Sequence, residues 1–117
     1  MPQHISATNA LDLKGRRILY VGGRNRSAHV RQLIEESNGQ YSYHDGGMEE
    51  SMGRLEKLLL RADAVLFPVK FVSHSAQNKV KSLCRSLDIP YVPLRHSGRE
   101  FIVSALSGIN SATMLRA

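Results

Sequence analysis

The strongest constraint on this chain is a fourfold alternation of two patterns that cannot share one conformation. Short apolar runs closed by turn residues alternate with longer segments whose apolar residues recur every three or four positions. The first run, Arg17-Ile18-Leu19-Tyr20-Val21, ends in Gly22-Gly23 and reads as a buried strand followed by a tight turn. Ser27 then stands where it caps a helix whose apolar positions are Val30, Leu33 and Ile34. Asn38-Gly39 ends that helix, with Gly taking the left-handed conformation. Gln40–His44 is the second strand, stopped by Asp45-Gly46-Gly47. Its Tyr41 and Tyr43 alternate with Ser42 and His44, the pattern of an edge strand with one wet face. Met48, Met52, Leu55, Leu59 and Ala62 form the clearest helical stripe, with Glu49 and Glu50 in its first turn, where the helix dipole favours acids. Residues 64–69 form a third strand, with Pro68 marking its end. Ala76, Val80, Leu83, Cys84 and Leu87 form a third helix capped by Ser73 or Ser75 and stopped by Asp88-Ile89-Pro90. Tyr91-Val92-Pro93-Leu94 is a fourth strand, placed at an edge by Pro93, and Phe101, Ile102, Ala105, Leu106 and Ile109 give a last helix.

The order is therefore β-α-β-α-β-α-β-α. Strands alternating with helices imply a parallel sheet with right-handed crossovers and helices on both faces. The expected fold is a single small doubly wound α/β domain of the Rossmann or flavodoxin-like kind, with a four-stranded parallel sheet. At 117 residues there is room for one domain. We place a polar tail at residues 1–10, the domain at 11–109 and a loosely held tail at 110–117. No apolar run approaches the ~20 residues of a membrane-spanning helix. The first residues lack a basic stretch followed by an apolar one, so no signal peptide is expected. The single cysteine, Cys84, excludes an internal disulfide and fits a reducing, cytoplasmic setting.

Charge is the first deviation with functional content. The formal net charge is +6, and it is unevenly spread. Residues 1–34 hold six basic groups and one acid, residues 35–63 three and seven, and residues 64–117 seven and two. Such segregation draws anionic partners to one face, although a solvated basic surface explains it as simply. Aromatic residues make up only 6% and tryptophan is missing, which weakens a stacking platform for single-stranded nucleic acid.

In a doubly wound sheet, ligands bind outside the carboxyl ends of the strands, near the point where strand order reverses. The unusual residues collect there. The four strands exit into Gly22-Gly23-Arg24, into His44-Asp45-Gly46-Gly47, towards Ser73-His74, and into Arg95-His96. His29 lies in the first turns of the first helix. Four of five histidines thus map to one rim, and only His4 does not. Histidine ligates metals and haem iron through a neutral nitrogen, and Asp45 stands ready to orient the adjacent His44. Arg24, Arg26, Lys79 and Arg95 suit propionates or phosphates. The glycine pairs are explained by turn geometry alone. There is no dinucleotide fingerprint, phosphate-binding loop, zinc-site spacing or legible catalytic constellation. Cys84, Met48 and Met52 fall on core stripes and read as packing residues.

Val21-Gly22-Gly23, then His44-Asp45-Gly46-Gly47 with Glu49 or Glu50 following, then Val72-Ser73-His74 with Lys81 and Cys84 downstream, resembles the small bacterial domain-of-unknown-function family numbered 2325. The likeness covers roughly residues 14–106. It implies a haem-binding or haem-responsive protein linked to iron and redox metabolism, with no assigned enzymatic activity. The positions that match the pattern are His44 and His74, the expected iron ligands. The expectation is a sensor, carrier or assembly factor holding haem b by His74 first, then His44 or His29, with Asp45, Gly22, Gly23, Arg24, Gly46, Gly47 and Ser73 around it. A homodimer sandwiching the haem and a protein partner in iron or redox metabolism belong to the same reading. The competing reading is a phosphate- or nucleic-acid-binding regulator using the basic rim.

Overall fold

The computed structural model describes residues 11–22, 24–46, 50–69, 74–96 and 98–116, and for residues 24, 25 and 110–116 it describes the backbone only. Four strands, β1 (Arg17–Val21), β2 (Gln40–His44), β3 (Ala64–Pro68) and β4 (Tyr91–Leu94), alternate with four helices, α1 (Arg24–Glu36), α2 (Met52–Arg61), α3 (His74–Leu87) and α4 (Arg99–Arg116). All strand pairs are parallel, and the order across the sheet is β2-β1-β3-β4. This is the doubly wound arrangement of the flavodoxin-like kind. Strand order reverses between β1 and β3, since β2 is reached on one side of β1 and β3 on the other.

Pleating divides the core into two layers. Ile18 and Tyr20 of β1 and Ala64 and Leu66 of β3 pack with Val30, Leu33 and Ile34 of α1 and Ile102, Leu106 and Ile109 of α4. Leu19, Val21, Val65 and Phe67 point the other way, onto Leu55 and Leu59 of α2 and Val80 and Cys84 of α3. Helices α1 and α4 therefore cover one face, and α2 and α3 the other. This is the arrangement that right-handed crossovers require once strand order reverses. β1 and β3 are buried on both faces, so their sequences read as continuous apolar runs. Asp63 fixes their register at the amino edge. It accepts from the Arg17 N–H at 2.8 Å through its carboxylate and donates its own N–H to the Arg17 carbonyl at 2.8 Å.

Helix boundaries depart from the sequence reading in three places. α1 is already helical at Arg24, ahead of the expected cap at Ser27. α2 begins at Met52 because the Ser51 hydroxyl accepts from the Arg54 N–H and caps it. Glu50 therefore precedes the helix rather than lying in its first turn, and Met48 and Glu49 lie outside the described residues. α3 starts at His74, which places Ser75 inside the helix and leaves Ser73 outside the described residues. The backbone of α4 stays helical to Arg116, beyond Ile109, its last core position.

The end of α1 exchanges the roles of its two turn residues. Asn38, not Gly39, takes the left-handed conformation, with φ of 62°. Gly39 is there for space: a Cβ on it would lie 2.6 Å from Leu13 Cδ1, 2.9 Å from Ile34 Cγ2 and 3.1 Å from the Ile34 carbonyl oxygen. Leu13 and Ile34 are themselves buried in the first core layer, so neither retreats freely. Gly39→Ala should cost ~1–3 kcal/mol of unfolding free energy, the usual penalty for overpacking. Asn38→Gly should be near neutral or mildly stabilising, since it relieves a left-handed backbone. Urea denaturation of the two variants beside the parent measures both.

Candidate functional site

The carboxyl edge of the sheet is built by four strand exits. Gly22 follows β1 with φ of 86°, and its N–H donates to the His44 carbonyl at 2.7 Å, tying the exits of β1 and β2 together. Gly46 follows β2 with φ of 78°. Both conformations favour glycine strongly, so these two serve the turns. Gly23 and Gly47 lie outside the described residues.

His44 pairs with Val21 at the last step of the β1–β2 ladder and is fully buried. Both ring nitrogens are engaged. Nε2 lies 2.8 Å from the Ser51 carbonyl, which can only accept, so Nε2 carries the proton and donates. Nδ1 accepts from the Gly46 N–H at 3.0 Å. The neutral imidazole thus bridges the two ends of the β2–α2 connection. Asp45 has 4% of its surface exposed, but it does not orient His44 as expected. Its nearer oxygen is 3.9 Å from Nδ1, beyond hydrogen-bond reach, and Nδ1 already accepts from Gly46. The Asp45 carboxylate accepts instead from the Glu50 N–H at 3.0 and 3.2 Å. Glu50 reciprocates, accepting from the Asp45 N–H at 3.1 Å, while its other oxygen pairs with Arg54.

Ligand atoms of His44, Asp45 and Glu50 lie within 4.8 Å of one another, a spacing at which a metal ion is held. Here each residue is spoken for by backbone N–H groups and by Arg54. The cluster works as a hydrogen-bonded lock on the turn. The family-like pattern included Glu50, but nothing in the sequence flagged Ser51 or Arg54 as members of the cluster. The Asp45–Glu50 exchange spans five residues with no recurrent motif, and the His44–Ser51 bond ends on a main-chain oxygen.

The remaining rim histidines differ in kind. His74 is the first residue of α3 and is exposed; His29 is half-buried in the second turn of α1; His96 is exposed just beyond β4. α1 and α3 cover opposite faces of the sheet, so His29 and His74 belong to opposite layers. The His96 ring lies 4.4 Å from that of Phe101, which is 52% exposed. The basic set is less unified than its sequence positions suggested. Arg26 and Arg95 are exposed, but Lys79 is drawn into a 2.6 Å ion pair with Glu56. Of Arg24, only the backbone is described.

Beneath α1, Tyr20 and Tyr43 stack with ring centroids 6.2 Å apart. Burial, reinforced by the neighbouring Tyr43, pushes the Tyr20 hydroxyl up to about 12. Burial raises Tyr41 further, against the opposing effect of a hydrogen bond with Ser27. On the opposite face burial pushes the Cys84 thiol up to about 11, as suits a packing residue.

The family model of uncharacterized proteins conserved in bacteria, DUF2325, matches residues 17–109, and the chain belongs to that family. The match runs from the first residue of β1 to the last core position of α4. No curated protein and no solved structure matches the chain.

The lock makes His44 a stability residue. His44→Ala leaves the buried Gly46 N–H without its partner, takes one of two donors from the Ser51 carbonyl, which still accepts from the Leu55 N–H, and empties a buried site, so it should cost ~2–4 kcal/mol. His44→Asn, whose side-chain oxygen still accepts from Gly46, should lose less. Denaturation of the pair reads the difference. Cys84 contributes through its neutral thiol. That contribution is complete below pH 9 and is lost as pH rises from the unfolded value of 9.0 towards about 11. Alkylation by iodoacetamide at pH 8 should be negligible in the folded protein and complete in denaturant.

Proposed function

We propose that this chain binds haem b at the carboxyl rim of its sheet through His74, and acts in the cytoplasm as a sensor, carrier or assembly factor in iron and redox metabolism rather than as a catalyst. The observation that carries the reading is the contrast between the two histidines of the family-like pattern. His44 has both nitrogens committed to the backbone. His74 is exposed and opens α3, the helix that follows β3. Iron ligation needs a neutral imidazole nitrogen with an open lone pair, and His74 meets that need without breaking the fold.

The rest of the rim suits such a ligand in outline. His29, on the helix that covers the opposite face, would be a second residue to hold the group. Exposed Arg26 and Arg95 are placed to pair with propionates by charge-assisted hydrogen bonds. Bound haem supplies a redox-active iron whose axial ligand sets its potential. The protein's own part is to hold it and to present the imidazole. The phosphate or nucleic-acid reading draws less support, because Lys79 is already neutralised by Glu56.

Titration with haemin under an absorption spectrophotometer tests the proposal. The parent should develop a ligated-haem spectrum, His74→Ala should lose it, and His29→Ala should shift it. Binding of a mixed-sequence DNA duplex should be weak at physiological salt. A haemin titration identical in the parent, His74→Ala, His29→Ala and His96→Ala would remove the haem reading. Tight duplex binding with a log–log salt slope approaching ~−0.9 for each neutralised phosphate would put the competing reading in its place.

A further inference from the structure

The two edges of the sheet are not equally protected. β4 carries Pro93, which has no N–H to offer a further strand. β2, at the other edge, carries no proline and no lysine in its five residues, Gln-Tyr-Ser-Tyr-His, and pairs one-to-one with β1 without a bulge. Among the described residues no strand lies beyond it.

Its outward hydrogen-bonding pattern follows from its inward one. The Gln40 N–H donates to the Arg16 carbonyl at 2.8 Å, and the His44 carbonyl accepts from the Gly22 N–H at 2.7 Å. The even-numbered residues therefore turn their main-chain groups towards β1. By the two-residue period of a strand, Tyr41 and Tyr43 turn theirs away from the sheet. That set is self-complementary about Ser42. A second copy laid antiparallel, with a two-fold axis at Ser42, brings each Tyr41 opposite Tyr43 of the other copy. Both such pairs exchange two N–H···O bonds, and the two Ser42 residues meet between them as a non-hydrogen-bonded pair.

The side chains fit the same register. Tyr41 and Tyr43 are half-buried on the α1 face, and the pairing sets aromatic rings of the two copies across from one another, a favourable cross-strand combination. The Ser42 and Tyr43 hydroxyls are buried without a hydrogen-bond partner, an uncommon state for such groups. We propose that the free edge of β2 is a self-association surface, through which two copies of this chain pair antiparallel about Ser42 into one continuous eight-stranded sheet. The proposal stands independently of haem binding.

A cysteine placed on the axis tests the register. The Cα atoms of a non-hydrogen-bonded antiparallel pair lie ~4.5 Å apart, inside the range a disulfide spans. Ser42→Cys should cross-link rapidly to a covalent dimer under mild oxidation. Gln40→Cys should not, because its two copies would sit about 14 Å apart along the strands. Light scattering over a dilution series should show a dimer for the parent. Tyr41→Pro removes one outward N–H per copy and should weaken the dimer ~10-fold or more, while Tyr41→Val, which keeps that N–H, should retain it. If Tyr41→Pro fails to fold by circular dichroism, the cysteine pair decides alone. A parent that is monomeric at every concentration, cross-linking no faster at Ser42 than at Gln40, or a dimer unaffected in folded Tyr41→Pro, overturns the proposal.

Discussion

Everything in this molecule is arranged around β1, a strand of five residues with partners on both sides and helices on both faces. Ile18 and Tyr20 serve one core layer, and Leu19 and Val21 the other. Such a strand has no freedom of register, because a slip of one residue would exchange the two sets of side chains between layers. Its ends are held by polar bonds instead. Asp63 brackets Arg17 at the amino edge, and the Gly22–His44 bond closes the carboxyl edge. The neighbours of β1 are β2 and β3, and strand order reverses beside it, the point near which ligands bind in sheets of this class.

That geometry separates two uses of histidine that look alike in sequence. His44 ends β2 and is packed against the exit of β1. Burial leaves its ring no water, so each nitrogen must find a backbone partner, and each does. The imidazole spans a connection whose other polar groups, those of Asp45, Glu50 and Arg54, close on one another. His74 begins a helix and is exposed. The same logic applies to the charges: Lys79 and Arg54 stabilise helix contacts by pairing with acids, whereas Arg26 and Arg95 stay exposed.

The sheet and its two layers were legible because their signals are periodic. The four strands stand where apolar runs closed by Gly, Pro or Asp predict them, and both edge strands are recognisable from the Tyr-Ser-Tyr alternation and from Pro93. The helix starts were less legible. Ser27 is a good cap in isolation, yet α1 begins at Arg24, directly after the Gly22 turn. Ser51 is the real cap of α2, although the apolar stripe extends back to Met48. A stripe records which residues face a core, not where the backbone begins to coil. The pairing within the rim was opaque for a related reason. Main-chain oxygens and N–H groups hold His44 and Asp45, and a sequence is silent on which main-chain groups meet a side chain. Gly39 shows the limit from the other side. Glycine after a helix suggests a left-handed turn, but here Asn38 takes that conformation, and the missing Cβ makes way for Leu13 and Ile34.

The edges carry the argument one step further, because a parallel sheet of four strands leaves two strands half-paired. Proline in β4 answers this on one side without cost to the fold, since an edge strand has no outward bond to lose. β2 has no such answer, and its sequence suits pairing better than solvation: two tyrosines whose rings are already half-covered, with a small serine between them. A strand whose outward groups repeat symmetrically about its central residue is its own complement. Closed two-fold symmetry consumes the edge completely and leaves no further edge of the same kind, which is why isologous pairing protects against open-ended aggregation where a lysine or a bulge would otherwise be needed. The rim and the edge then divide the labour of the fold. Under the two proposals the β1–β3 reversal would serve a ligand and β2 would serve assembly, with the His44 hydrogen bonds to Gly46 and Ser51 tying the end of β2 to the start of α2.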